Sequence, residues 1–511
     1  MIDITRKDFL KLSASAAAAT AVASAGVPVS AKAQSFAAPR AARKTLIRNA
    51  DVLTMDPKLG EMPGTDVLID GGKIIAIGKN IAAADAEVID ATGMILMPGM
   101  TDGHRHIWEG IEAGHLVKTN PKDYATYQTS KKKIMVCMTA EDHHFAAYLG
   151  GLQALDSGVT TVLDYAHIQW SQDRAIASAR GLQETGIGGW FGYQISHTPT
   201  YGPGDTVPMK QADAEQGAMG DDAHFRTADI LAKEVFSDSS APLRLGLCMS
   251  NGAFGAPIDK VKAEMERMRG YGIGMVAAHS HRPNKQFPAG HFGARGSGIA
   301  DLKDAGLLGP DLHLSHGNGL TDDELKMLAD TGGMICATAM GEFPYKARGL
   351  PGSVHGRARA AGVAVGTGLD VSVALTQDYF ENMRCAFWNL YLDPEGVALA
   401  KDYKSADTLD FTTALGAKAL RLSDETGTIT IGKRADLVLL RTDRYSFAIM
   451  GSLADRVLNF AQLPDVDSVW ASGKAVKRNG QMIGVNWATI KARLHSIQER
   501  LEAQTATINF I

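Results

Sequence analysis

Two histidines stand one residue apart in the stretch DGHRHIWEG, at His104 and His106, directly after the apolar run MILMPGM. Side chains at i and i+2 of a strand share a face, so both imidazoles can reach one cation. Neutral imidazole ligates zinc and its neighbours, and a catalytic metal site keeps one position open for water. Alone, such a pair is equally well explained as two hydrogen-bonded loop histidines. Its company decides the matter, because His279, His316 and Asp370 also close apolar runs. Imidazoles and a carboxylate converging from several strand ends predict a divalent cation that activates water.

Residues so far apart in sequence need a repeating scaffold to gather them. Between residues 96 and 415 short apolar runs alternate with helical segments, the pattern of a parallel sheet built from βα units. The runs are MILMPGMTD, VTTVLDYAH, GIGGWFGYQI, PLRLGLCMS, IGMVAAHSH, DLHLSHGNG, GGMICATAM and GVAVGTGLD. Among the helical segments, TDDELKMLADTG opens on a Thr/Asp cap, carries an apolar stripe and stops at glycine. Eight strands predict a (β/α)8 TIM barrel, whose active site lies at the carboxyl ends of the strands. A doubly wound sheet is the rival, but no GxGxxG follows any run. Five of the eight runs end in a histidine or carboxylate: His104 and His106, Asp164 and His167, His279 and His281, His316, and Asp370. Glu342 lies a little past the seventh. An apolar strand has no packing reason to finish that way.

Residues 34–95 and 416–485 follow a different style of short strands and tight turns. In TDVLIDGGKIIAIG two apolar runs are joined by Gly71–Gly72, a two-residue hairpin signature. GTITIGKRADLVLLR and VDSVWASGKAVKRNG return to that style, so the two segments are predicted to form one small β-sandwich. Residues 486–511 are read as a C-terminal helix and tail.

PGMTDGHRH, the histidine ending the fifth run, HLSHGNGLTDDELKMLADTGG, VGTGLD and the tail GKRADLVLL occur in this order. Together they resemble the amidohydrolase superfamily, and within it the branch of cytosine-type deaminases and chlorotriazine hydrolases. The resemblance runs from about Lys44 to about Gly484. It implies that His104, His106 and His279 are imidazole ligands, that Asp370 is the carboxylate ligand, and that His316 touches water or substrate; Asp370, beside the metal, is also the expected proton acceptor. Two-metal branches bridge their ions with a lysine on the fourth strand, and PLRLGLCMS has none. One divalent ion is therefore expected, zinc first, with Fe2+ or Mn2+ as alternatives.

The chain departs from that pattern at one place. Deaminases of the branch carry His-x-x-Glu on the fifth strand, where the glutamate moves protons. Here Arg282 stands three residues after His279, and Asn284 three after His281. The departure favours hydrolysis of an amide, cyclic amide, urea or carbamate over deamination of an amino-substituted heterocycle, which is the alternative. A binding protein on a dead barrel ranks below both, because all five site positions are intact.

Further residues have claims on the pocket. Glu342 could replace the absent glutamate or bind a cationic substrate group, or be a solvated loop acid; Glu109 has a weaker claim of the same kind. Arg282 could anchor an anionic substrate. His167 is read either as a substrate contact or as a structural partner of Asp164. Trp108, Tyr165 and Phe343 could wall the site, whereas His143 and His144 lie on a helix away from the strand ends.

A net charge of −4 gives no electrostatic reason to expect nucleic acid, so a small-molecule substrate is the expected partner. Cys137, Cys248, Cys336 and Cys385 are far apart and form no CxxC, which argues against a disulfide framework. TRKDFLKLS, an alanine-rich stretch and the small-x-small pattern AKA at 31–33 make residues 1–33 an expected export signal. Arg6–Lys7 followed by Phe9 and Leu10 resembles the twin-arginine type, with the Sec route as alternative. A periplasmic or secreted product is expected, meeting export machinery only in transit. No later segment is apolar enough to span a membrane. A homo-oligomer is compatible with the sequence.

Overall fold

The computed structural model describes residues 44–113, 121–280, 286–342, 354–392 and 394–511. Eight parallel strands are hydrogen-bonded in sequence order: β1 (Met100–Arg105), β2 (Val159–Ala166), β3 (Gly188–Gln194), β4 (Leu243–Cys248), β5 (Val276–Ser280), β6 (Leu312–His316), β7 (Met334–Ala337) and β8 (Ala364–Thr367). Seven of them lie within one of the eight apolar runs, and β1 begins in MILMPGMTD and continues to Arg105. The ends of β1 and β8 meet through a parallel bridge between Arg105 and Asp370. There Asp370 N donates to His104 O at 2.9 Å and His106 N to Asp370 O at 3.1 Å, so a nearly closed barrel results. Gly368 permits this approach: a Cβ there would stand 2.6 Å from both His104 N and His104 O.

The run MILMPGMTD, expected as a single strand, is two. Ile95–Pro98 pairs with Leu437–Leu440 and with Asp51–Val52, and only Met100–Arg105 enters the barrel. Gly99 N donates to Asp436 O at 2.8 Å, holding the chain to the second sheet up to the turn. A continuous apolar run cannot reveal that its halves are buried by different sheets.

That second sheet has nine strands, mostly antiparallel, drawn from residues 45–98 and 437–482. Gly71 and Gly72, with φ of 54° and 80°, form the hairpin turn between Glu61–Asp70 and Lys73–Gly78. Its far edge returns against Arg434, wrapping the sheet around an apolar core that includes Ile47, Val67, Leu96, Leu437 and Trp470.

Helices cover the barrel. Asp322–Thr331 begins at Thr321, whose hydroxyl accepts from Glu324 N while the Glu324 carboxylate accepts from Thr321 N, and it ends at Gly332 in the left-handed region. Leu325 and Leu328 turn its apolar stripe into the core. Inside the barrel, Leu163 and Tyr165 of β2, Trp190 of β3, Cys248 of β4, Ala277 of β5 and Met334 of β7 join one apolar cluster. Strand alternation then sets the positions above it: Ala277 inward implies His279 inward. All four cysteines are free. Among the described residues, no helix is long and apolar enough to cross a membrane.

Candidate metal centre

The structure brings His104, His106, His279, His316 and Asp370 to one place at the carboxyl ends of the strands. The ligand atoms of His104, His106 and His279 lie within 4.8 Å of one another, as do those of His104, His316 and Asp370. His104 is central, with ring centroids 4.9 Å from His106, 5.1 Å from His279 and 5.0 Å from His316.

The backbone is bent to achieve this. On β6 the register alternates until Ser315, whose hydroxyl meets His104 Nδ1 at 2.8 Å. The next residue, His316, should then face away from the site. Its φ of 74° turns it back, and Asp370 has φ of 70°. Such conformations in non-glycine residues cost about 1–3 kcal/mol each and collect at functional sites. Between Asp102 and Arg105 a bulge in the β1–β2 register re-aims β1 at the same point.

Hydrogen bonds fix the rings. His106 Nδ1 lies 2.9 Å from Tyr165 O, and a carbonyl only accepts, so the proton is on Nδ1. In the neutral ring the Nε2 lone pair then faces Asp370 Oδ1 at 3.3 Å. Two acceptors at that distance repel unless a proton or cation lies between them. His104 Nε2 is also 3.3 Å from Asp370 Oδ1, buried and without a hydrogen-bond partner. A tetrahedral zinc with bonds of about 2.0–2.1 Å has edges of about 3.3 Å. Neutral imidazoles beside one carboxylate therefore fit a divalent cation in both chemistry and spacing.

Burial and the Asp370 carboxylate act in opposite directions on these rings. Burial pulls the His104 pKa down to about 3, keeping it neutral and ready to ligate. Burial also opposes charge on His106, but the Asp370 carboxylate outweighs it and the pKa is raised. Burial pushes Asp370 up, yet His316, His104 and His106 hold it well below the usual carboxylate range.

Around the centre, Thr338 Oγ1 donates to Glu342 Oε2 at 3.1 Å and lies 2.8 Å from His316 Nδ1. The hydroxyl proton is committed to Glu342, so Thr338 accepts from His316 Nδ1–H. Glu342 thus stands behind His316, with its carboxylate 3.7 Å from Nδ1. His167 stacks on His106 with centroids 3.9 Å apart and accepts from Trp108 Nε1 at 3.1 Å. Its partner is Trp108, whereas Asp164 accepts from Ile107 N. Tyr165 stacks on His279 at 4.0 Å. Arg282, His281 and Phe343 fall outside the described residues. His143 is buried, and His144 pairs with Glu184 at 3.0 Å.

One contributor, Asp102, escaped the sequence reading, and Glu109 proves more deeply placed than its weaker claim implied. Asp102 is buried, accepts from His104 N and Leu369 N, and stands 3.6 Å from Arg105 Nη1. It shares parity with His104 and His106, a signal that was available. Burial raises its pKa to about 6. Glu109 is wholly buried, taking Tyr127 OH at 2.6 Å and Ser372 N at 2.9 Å. Burial pushes it up to about 7.

Known proteins resemble this chain over most of its length. The family described as "Amidohydrolase family" matches residues 95–476. A 5-methylthioadenosine/S-adenosylhomocysteine deaminase of Desulforudis audaxviator is 25% identical, covering 90% of this chain and 99% of its own. A 5'-deoxyadenosine deaminase of Methanosarcina acetivorans is 23% identical over 90% of this chain and 98% of its own. Among solved structures, an adenosine deaminase of Xanthomonas campestris with bound zinc has a TM-score of 0.74 and 21% identity, covering 90% of this chain and 99% of its own. An atrazine chlorohydrolase of Arthrobacter aurescens complexed with zinc has a TM-score of 0.72 and 19% identity, covering 89% of this chain and 99% of its own.

Proposed function

Because the chain belongs to the amidohydrolase family, we propose that it hydrolyses a C–N bond of a small molecule, with one divalent ion, zinc first, held by His104, His106, His279 and Asp370. The observation that carries this reading is the Asp370 carboxylate placed 3.3 Å from two imidazole nitrogens whose remaining ring atoms are already hydrogen-bonded. When bound, the ion supplies hydroxide near neutral pH by acidifying water. Asp370, its carboxyl held low by the surrounding imidazoles, accepts the proton from the attacking water and returns it to the leaving nitrogen. His316, its Nδ1 tied to Thr338, presents its other edge to charge developing on the attacked carbon's substituent. Ser315, Tyr165 and Thr338 keep the rings in place, so little reorganisation is needed during reaction. His167 and Trp108 form one wall of the substrate site, and Glu342 acts through His316.

Amide, cyclic amide, urea or carbamate hydrolysis is favoured because Arg282 occupies the place of the glutamate after His279. Deamination is the second reading; the deaminase relatives favour it, and buried Glu109 beside His106 offers a substitute acid. Metal analysis of the purified protein, with a panel of amides, carbamates and amino-heterocycles, tests both. Ammonia release from heterocycles would establish deamination, and release of a carboxylate or larger amine would establish the first reading. Residues 1–33 are proposed as an export signal directing the chain to the periplasm; failure to export a fused reporter would refute it.

A further inference from the structure

The helix Pro121–Cys137 follows β1 and presents Tyr127 and Lys131, one turn apart, to the flank of the metal centre. Tyr127 reaches Glu109, whose second oxygen takes Ser372 N from the segment after β8. The Lys131 ammonium lies over the Tyr127 ring, 5.4 Å from its centroid. Lys131 is only 7% exposed, yet among the described residues no carboxylate comes within ion-pair distance of its ammonium. Glu109 is near enough to be felt, but each of its oxygens already has a donor. The other charges acting on Lys131 are Lys132 and Asp370, and Lys131 in turn acts on His167. Lys132 itself is paired with Asp213 at 2.5 Å. A buried cation without a counter-ion is costly, and the cost is offset when a ligand supplies the negative charge.

We propose that Lys131 binds a carboxylate of the substrate, so that the enzyme acts on C–N compounds carrying an acid group close to the scissile bond. The aromatic face of Tyr127 steadies the ammonium while it is unliganded. Tyr127, over whose ring the ammonium lies, bonds Glu109 three residues beyond His106, so a carboxylate held by Lys131 sits on the flank of the metal centre.

This inference rests on the hydrolase reading, and its test separates the two. Calorimetric titrations of the metal-loaded protein with acetate, benzoate and N-benzoylglycine are compared with titrations of their methyl esters. The acids should bind tighter than the esters by on the order of tenfold. Lys131→Met and Lys131→Gln should erase that preference, with folding checked by circular dichroism. Equal affinity of acid and ester in the unaltered protein, no binding of any acid, or a preference surviving both substitutions overturns the proposal. An acid preference in a protein that hydrolyses no member of the panel keeps the subsite and removes the reaction. Hydrolysis without acid preference does the reverse.

Discussion

His104 and Asp370 meet twice. Their backbones close the barrel through Asp370 N and His104 O at 2.9 Å, and their side chains meet at 3.3 Å in the metal centre. Barrel closure and placement of the two proposed ligands are therefore one structural event. Asp370→Asn keeps the backbone contact and an oxygen facing the imidazoles but cannot accept a proton. It should retain most of its metal, by elemental analysis, while kcat falls by roughly 10² to 10⁴. Near-normal turnover would remove Asp370 from the proton path.

Gly368 is where that closure can be broken without touching a ligand. A methyl group there would meet His104 N and O at 2.6 Å, and backbone cannot swing aside as a side chain can. Gly368→Ala should lose about 1–3 kcal/mol in denaturant unfolding and bind metal more weakly. Unchanged stability and metal content would contradict the close approach of β1 and β8.

The Thr338 hydroxyl links Glu342 to His316. Thr338→Val preserves shape and removes both hydrogen bonds, so the His316 ring loses its fixed tautomer. Activity should drop about 10–100-fold with metal content intact. Glu342→Gln should do less, since an amide oxygen still accepts from Thr338. If Glu342→Gln proved the more damaging, Glu342 would be touching the substrate directly.

The barrel was legible because each strand is a compact apolar run and each functional residue interrupts apolar chemistry at a run's end. His279 follows from alternation, whereas His104 and His106 share parity but are aimed by the bulge between Asp102 and Arg105. His316 and Asp370 do not follow from alternation, because their reach into the site depends on left-handed backbone that residue type does not announce. Ile95–Pro98 could not be told from barrel strand, since burial in either sheet selects the same side chains. Lys131 was hidden for the opposite reason. In TYQTSKKKIMVC it reads as part of a solvated basic face, and only the fold shows it buried, with its ammonium over the Tyr127 ring.

Burial has a further consequence away from the metal. His143 is fully enclosed, neither ring nitrogen has a hydrogen-bond partner, and burial with the nearby Arg174 charge lowers its pKa to about 3. In the unfolded chain its pKa is about 6.5. Above pH 6.5 both states are neutral and its contribution is complete. As pH falls the unfolded chain takes up a proton that the folded state refuses, so stability declines toward pH 3, by up to about 1.4 kcal/mol per pH unit. His313 and His355, each lowered to about 4 by burial, act in the same direction. His143→Leu, compared with the unaltered chain in chelator so that metal release does not intervene, should show a shallower loss of stability between pH 6 and 4. The difference in slope should be about one proton. Parallel curves for the two proteins would mean that His143 reaches solvent in the folded state.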